Sequence, residues 1–140
     1  MKKSLVTLLL VVTLVAVAAC TKSTTTVSTG KPIATITVNN LTATLSNGTG
    51  QLKQGQQDVM LAFTDSTGKP VDVGAVSLNF HMPAMGGMAA MNDAVTLTTT
   101  GTQGVYSGKV NVSMAGEWQG QLAYEGPAGS GKATFSVTAR

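Results

Sequence analysis

One cysteine, one histidine and one tryptophan among 140 residues leave little material for several kinds of chemistry. A single thiol cannot close a disulfide within the chain or assemble a zinc–thiolate cluster. The lone histidine, His81, has no acid or nucleophile placed beside it, so neither a Ser-His-Asp nor a Cys-His centre is expected. Charge is sparse as well, at 11% of residues. The six carboxylates (Asp58, Asp65, Asp72, Asp93, Glu117 and Glu125) are scattered near strand ends and turns, as solvated surface groups are. The expectation is a protein that is not an enzyme. Amphipathic helical periodicity and long repeats are absent too.

The first twenty residues read as a targeting segment rather than as part of the fold. Lys2-Lys3 supply a positive start, residues 5–18 form an apolar run broken only by threonines, and small residues precede Cys20. That run is too short and wrongly flanked for a membrane-spanning helix. Val17-Ala18-Ala19-Cys20 resembles the lipobox of bacterial lipoproteins, which implies an acylated Cys20 as the mature N-terminus and leaves no free thiol. Thr21 in place of Asp after the cysteine resembles the outer-membrane class. The expected location is therefore the cell envelope, on the periplasmic side of the outer membrane in a double-membraned organism.

Three segments follow from this: a signal peptide over 1–19, a Ser/Thr-rich tether over 20–31, and one domain over 32–140. Removing Lys2 and Lys3 leaves seven basic residues against six acidic ones. A near-neutral domain with scattered lysines gives no basis for binding nucleic acid.

From Pro32 onward, short β-branched runs alternate with turn residues. Residues 33–45 suggest one bent strand or two short ones around Asn39-Asn40. Further strands are expected over 57–64, 75–80, 94–100, 105–112, 117–124 and 132–140, with turns or glycine-rich loops over 47–50, 65–70, 101–104, 113–116 and 125–131. The inward faces carry Val59, Leu61 and Phe63, then Tyr106, Val110 and Val112, then Trp118, Leu122 and Tyr124. This pattern predicts an all-β, immunoglobulin-like antiparallel sandwich of seven or eight strands. Without the Cys…Trp…Cys signature, Trp118 is expected to anchor the core by packing alone.

The chemistry concentrates in one stretch, Phe80-His81-Met82-Pro83-Ala84-Met85-Gly86-Gly87-Met88-Ala89-Ala90-Met91, which holds four of the seven methionines. A thioether is soft, neutral and needs no deprotonation, so it suits Cu(I) or Ag(I) and not Mg, Ca or Mn. If strands alternate in direction, the turn containing Met114 and the loop 46–55 lie at the same end as this stretch. Candidate metal ligands are then Met82, Met85, Met88 and Met91, with His81 and Met114 completing a set of three or four. The alternative is that these methionines pack a core or present a pliable surface to a protein partner in the envelope.

Three features in order resemble the YtkA-like domain family, and more distantly the FixH family. They are the strand leading into Met82-Pro83-Ala84-Met85, the Gly104-Val105-Tyr106 opening of a hairpin, and Met114-Ala115-Gly116-Glu117-Trp118, within a stretch from Val71 to the end. The resemblance implies an extracytoplasmic immunoglobulin-like module often found beside copper-handling or metal-efflux components. An envelope protein of that kind is the partner it implies, and it implies no particular reaction.

Overall fold

A computed structural model describes residues 30–140, in which the alternating runs form eight antiparallel strands and no helix. They are β1 (Lys31–Val38), β2 (Leu41–Asn47), β3 (Gly55–Thr64), β4 (Ala75–Met82), β5 (Met91–Thr99), β6 (Val105–Val112), β7 (Gly116–Gly126) and β8 (Gly129–Ala139). The all-β expectation holds, and the two layers turn out to be continuous. The strand order is β1-β2-β3-β6-β5-β4-β7-β8, a single sheet folded over and nearly closed on itself. The fold-over lies in β5, where Met91 to Val95 pair with β4 and Thr96 to Thr99 pair with β6. Each edge of a strand carries its own row of backbone donors and acceptors, so different halves can serve different neighbours.

Alternation places the core where the sequence predicts. Val59, Leu61 and Phe63 of β3, Leu78 and Phe80 of β4, and Tyr106, Val110 and Val112 of β6 are all buried, and Met82, a candidate ligand from sequence, is buried with them. Phe63 stands edge-on to Tyr106 and Tyr124, with ring centroids 5.9 and 5.6 Å away. Trp118 is 1% exposed, and it does more than pack, because its Nε1 donates to the Met114 carbonyl at 3.0 Å. Gly120 has no side chain because the Phe135 ring fills that space: a Cβ there would sit 2.2 Å from the ring.

The structure decides between the two alternatives left open for one segment and differs from the sequence reading in another. Residues 33–45 form two strands joined at Asn39-Asn40, with Asn39 at φ 54 and its amide donating to the Tyr124 hydroxyl at 3.1 Å. Residues 125–131, expected as a glycine-rich loop, instead extend β7 and β8 to a two-residue turn at Pro127-Ala128. The glycines there permit close approach within a ladder: a Cβ on Gly131 would meet the Tyr124 ring at 2.7 Å, and one on Gly126 the Val73 carbonyl at 2.4 Å.

One end of the molecule gathers the loops 48–54, 83–90 and 113–115 together with Gly30 and Arg140. Gln54 Nε2 donates to the Ser113 carbonyl at 3.2 Å, and the Arg140 amide donates to the Leu52 carbonyl at 3.0 Å. Leu52 is fully buried and closes the core at this end.

Candidate functional site

The site begins with the last residues of β4. Phe80 and Met82 point inward, so His81 between them projects from the outer face of the sheet. Its cross-strand neighbours are Asn92 on β5 and Gln119 on β7. His81 Nδ1 lies 2.9 Å from Asn92 Oδ1, which also accepts from Asn79 Nδ2 at 3.2 Å. Asn79 Nδ2 is shared with Gln121 Oε1 at 3.3 Å. An amide oxygen only accepts, so this ladder holds the proton on Nδ1 and leaves the Nε2 lone pair for a ligand. A ring nitrogen that donates to a neighbouring acceptor while the other faces a metal is the usual arrangement of metal-binding histidines.

Beyond Met82 the chain leaves the sheet, and every residue from 83 to 90 is exposed. Within that loop the Met85 amide donates to the Met88 carbonyl at 3.2 Å, and the Met88 amide donates back to Met85 at 2.9 Å. Gly86-Gly87 make the turn, with Gly86 at φ 56 in the first central position, where the II′ hairpin class wants a glycine. Residues that exchange both backbone hydrogen bonds have Cα atoms about 5.5 Å apart, with side chains on one face of the ribbon. Met85 is 58% exposed and Met88 48%, and they are the exposed large hydrophobic side chains among the described residues. A folded turn thus sets two thioethers side by side in solvent.

The remaining candidates divide. Met82 is 3% exposed and belongs to the core, its methyl 3.1 Å from where a Cβ of Gly116 would be. Met91, paired with Met82 across the hairpin, and Met114 are half-buried against the core. Met114 does lie at the same end as the loop, as strand parity predicts. Its turn is tied to β5 through Asp93, which accepts from the Ser113 amide and hydroxyl at 2.8 Å each. Cys20 lies outside the described residues.

An open groove of about 410 Å³ runs along the outer face here, lined by His81, Pro83, Met85, Glu117, Gln119 and Ser136. Imidazole and thioether therefore share one concavity, with a carboxylate at its rim. Among the described residues no three of His, Cys, Asp and Glu cluster for a hard metal. A larger groove of about 570 Å³ toward the other end, beside Ser77, Ala123 and Lys132, offers neither sulfur nor imidazole. Asn92 and Glu117 were not singled out as site residues from sequence. Asn92 becomes visible only with the β4–β5 register, and Glu117 only with that of β4 and β7.

The other two features that carry the resemblance, Gly104-Val105-Tyr106 and Met114 to Trp118, have structural work. The Tyr106 hydroxyl donates to the Gly74 carbonyl at 2.9 Å, pinning the loop that leads into β4. Gly116, at φ 142, opens β7 beneath Met82, and the Met114 carbonyl receives Trp118.

Fold and site together define a small helix-free β-domain that carries a sulfur-rich hairpin at one end. The chain belongs to the YtkA-like family, whose profile matches residues 35–123, from β1 into β7. No curated protein and no solved structure matches it.

Proposed function

We propose that this is a lipid-anchored cell-envelope protein that holds a soft monovalent ion, Cu(I) or Ag(I), at the β4–β5 loop and passes it on. The observation that carries the reading is the Met85/Met88 pair, exposed and directly opposed across a two-residue turn. His81 adds a ring-nitrogen ligand from the adjoining strand, with its Nδ1 engaged by Asn92 Oδ1 at 2.9 Å. Two thioethers and an imidazole match the preference of a d¹⁰ monovalent ion and suit Mg or Ca poorly. Met82, Met91 and Met114 contribute in this reading by seating the loop, Met82 from within the core and the other two packed half-buried against it. The envelope location rests on the lipobox pattern at Cys20, and the acceptor of the ion is an envelope copper-handling or efflux protein.

The test is competition of the protein against a chromogenic Cu(I) chelator. Met85→Leu with Met88→Leu keeps volume and apolarity while removing both sulfurs. Affinity should fall on the order of tenfold or more, which is about 1.4 kcal/mol per decade. An unchanged affinity, or none in the native protein, rejects the metal reading. The loop from 83 to 90, exposed throughout, would then serve as a non-enzymatic surface for a protein partner.

A further inference from the structure

The described domain begins at the same end as the methionine loop. Lys31 opposes Asn47, the last residue of β2, and a Cβ on Gly30 would meet the Asn47 carbonyl at 2.6 Å. Asn47 leads into the loop 48–54, whose Gln54 bonds Ser113, and Ser113 bonds Asp93 beside the methionine hairpin. The chain arriving from Cys20 therefore joins the domain at its methionine end.

Nine residues, or ten Cα-to-Cα steps, separate Cys20 from Gly30. A Ser/Thr-rich segment of that length has a root-mean-square span of about 17 Å. Strands of 8 to 11 residues make the domain about 27–37 Å long. Turning the far end toward the bilayer would need the tether drawn out along the whole domain, close to its limit of about 35 Å. Gaussian chain statistics make such extensions rarer by on the order of tens of fold.

The methionine end carries eight consecutive exposed residues, 83–90, with no charged or hydrogen-bonding side chain among them. Around it lie exposed Lys31, Lys53 and Arg140. The carboxylates at this end are exposed Glu117, exposed Asp58, which pairs with Lys109, and half-buried Asp93, which is engaged by Ser113. Apolar side chains rimmed by cations are what an anionic lipid surface retains.

We infer that the loop 83–90 docks against the lipid surface of the membrane that holds Cys20, so that a soft ion held by Met85 and Met88 sits at the bilayer and not out in the envelope. This rests on the lipid-anchor reading and is independent of metal affinity.

The test uses the mature lipidated chain in vesicles of phosphatidylethanolamine and phosphatidylglycerol containing lipid spin-labelled near the headgroup. With Cys20 acylated, a cysteine at Ala89→Cys in the loop, or at Ser66→Cys at the opposite end, is the one thiol open to a fluorophore. Flotation with the vesicles reports the anchor separately. The label at 89 should lose at least about half its fluorescence and the label at 66 little, because only the former reaches the lipid interface. Equal quenching at both sites, or none at 89, overturns the inference while leaving the anchor intact. A label at 89 that stays bright in vesicles but crosslinks to a protein in native envelopes assigns the loop to a protein cleft, and also overturns it. Failure to float overturns the anchor reading and the orientation with it.

Discussion

Asn92 decides what His81 can do. Its Oδ1 receives the imidazole Nδ1–H, so Asn92→Ala should free the ring to rotate and weaken Cu(I) or Ag(I) binding on the order of tenfold, as loss of an outer hydrogen-bond partner does at other metal sites. Calorimetric titration with Ag(I) checks this, and an unchanged affinity would remove His81 from the ligand set. At the far end Tyr106 is the corresponding structural residue. Burial, with the Asp72 carboxylate adding to it, pushes its phenol above the usual value near 10. The folded state thus keeps the proton that the unfolded chain releases. Tyr106 therefore adds stability that is fully present below about pH 10 and is lost as pH rises through the higher folded value. Tyr106→Phe removes the bond to the Gly74 carbonyl and should cost about 0.5–1.5 kcal/mol at neutral pH. Urea titrations of the variant should also show a shallower loss of stability in alkali. Trp118→Ala should cost more, about 3–5 kcal/mol, since it opens a large cavity and orphans the Met114 carbonyl.

Elements, unlike individual contacts, were largely legible from the chain. Period-two alternation located the strands from β3 onward, because burial on one face is written directly into sequence, as in Val59, Leu61 and Phe63, and left 33–45 open as one strand or two. Glycine misled at 125–131, where it marks close packing of backbone against Tyr124 and Val73 as well as a turn. The fold-over in β5 was not legible, since which half of a strand pairs with which neighbour depends on contacts remote in sequence. Alternation also fixes that Met82 faces inward and His81 outward, yet the Met85–Met88 pairing needed the turn geometry itself. That turn can be tested on its own. Gly86→Ala forces an alanine to φ 56, at a cost of about 1–2 kcal/mol for an L-residue there. The penalty falls on an exposed loop that opens without disturbing the core. Metal affinity should therefore drop while the midpoint of thermal unfolding stays nearly constant, as circular dichroism would record.

At the scale of the whole molecule, closing one sheet on itself sends all the chemistry-bearing loops to one end. Strand parity brings 48–54, 83–90 and 113–115 to one end, where Gln54 ties 48–54 to 113–115, Asp93 ties 113–115 to β5, and Arg140 ties the end of the chain to 48–54. The opposite end is occupied by structural ties: Tyr106 on Gly74, and Asn39 on Tyr124. The rigid frame and the exposed hairpin are thus separable, and ligand binding at the hairpin should leave the core unmoved. Methyl NMR of the protein labelled at its methionine methyl groups reads both parts at once during titration with Ag(I), a diamagnetic stand-in for Cu(I). The Met85 and Met88 signals should shift together and saturate at one equivalent, while those of Met82 and Met60 hold their positions. Signals of Met85 and Met88 that do not move, or that move only as Met82 and the rest of the core do, would contradict a metal site on this hairpin.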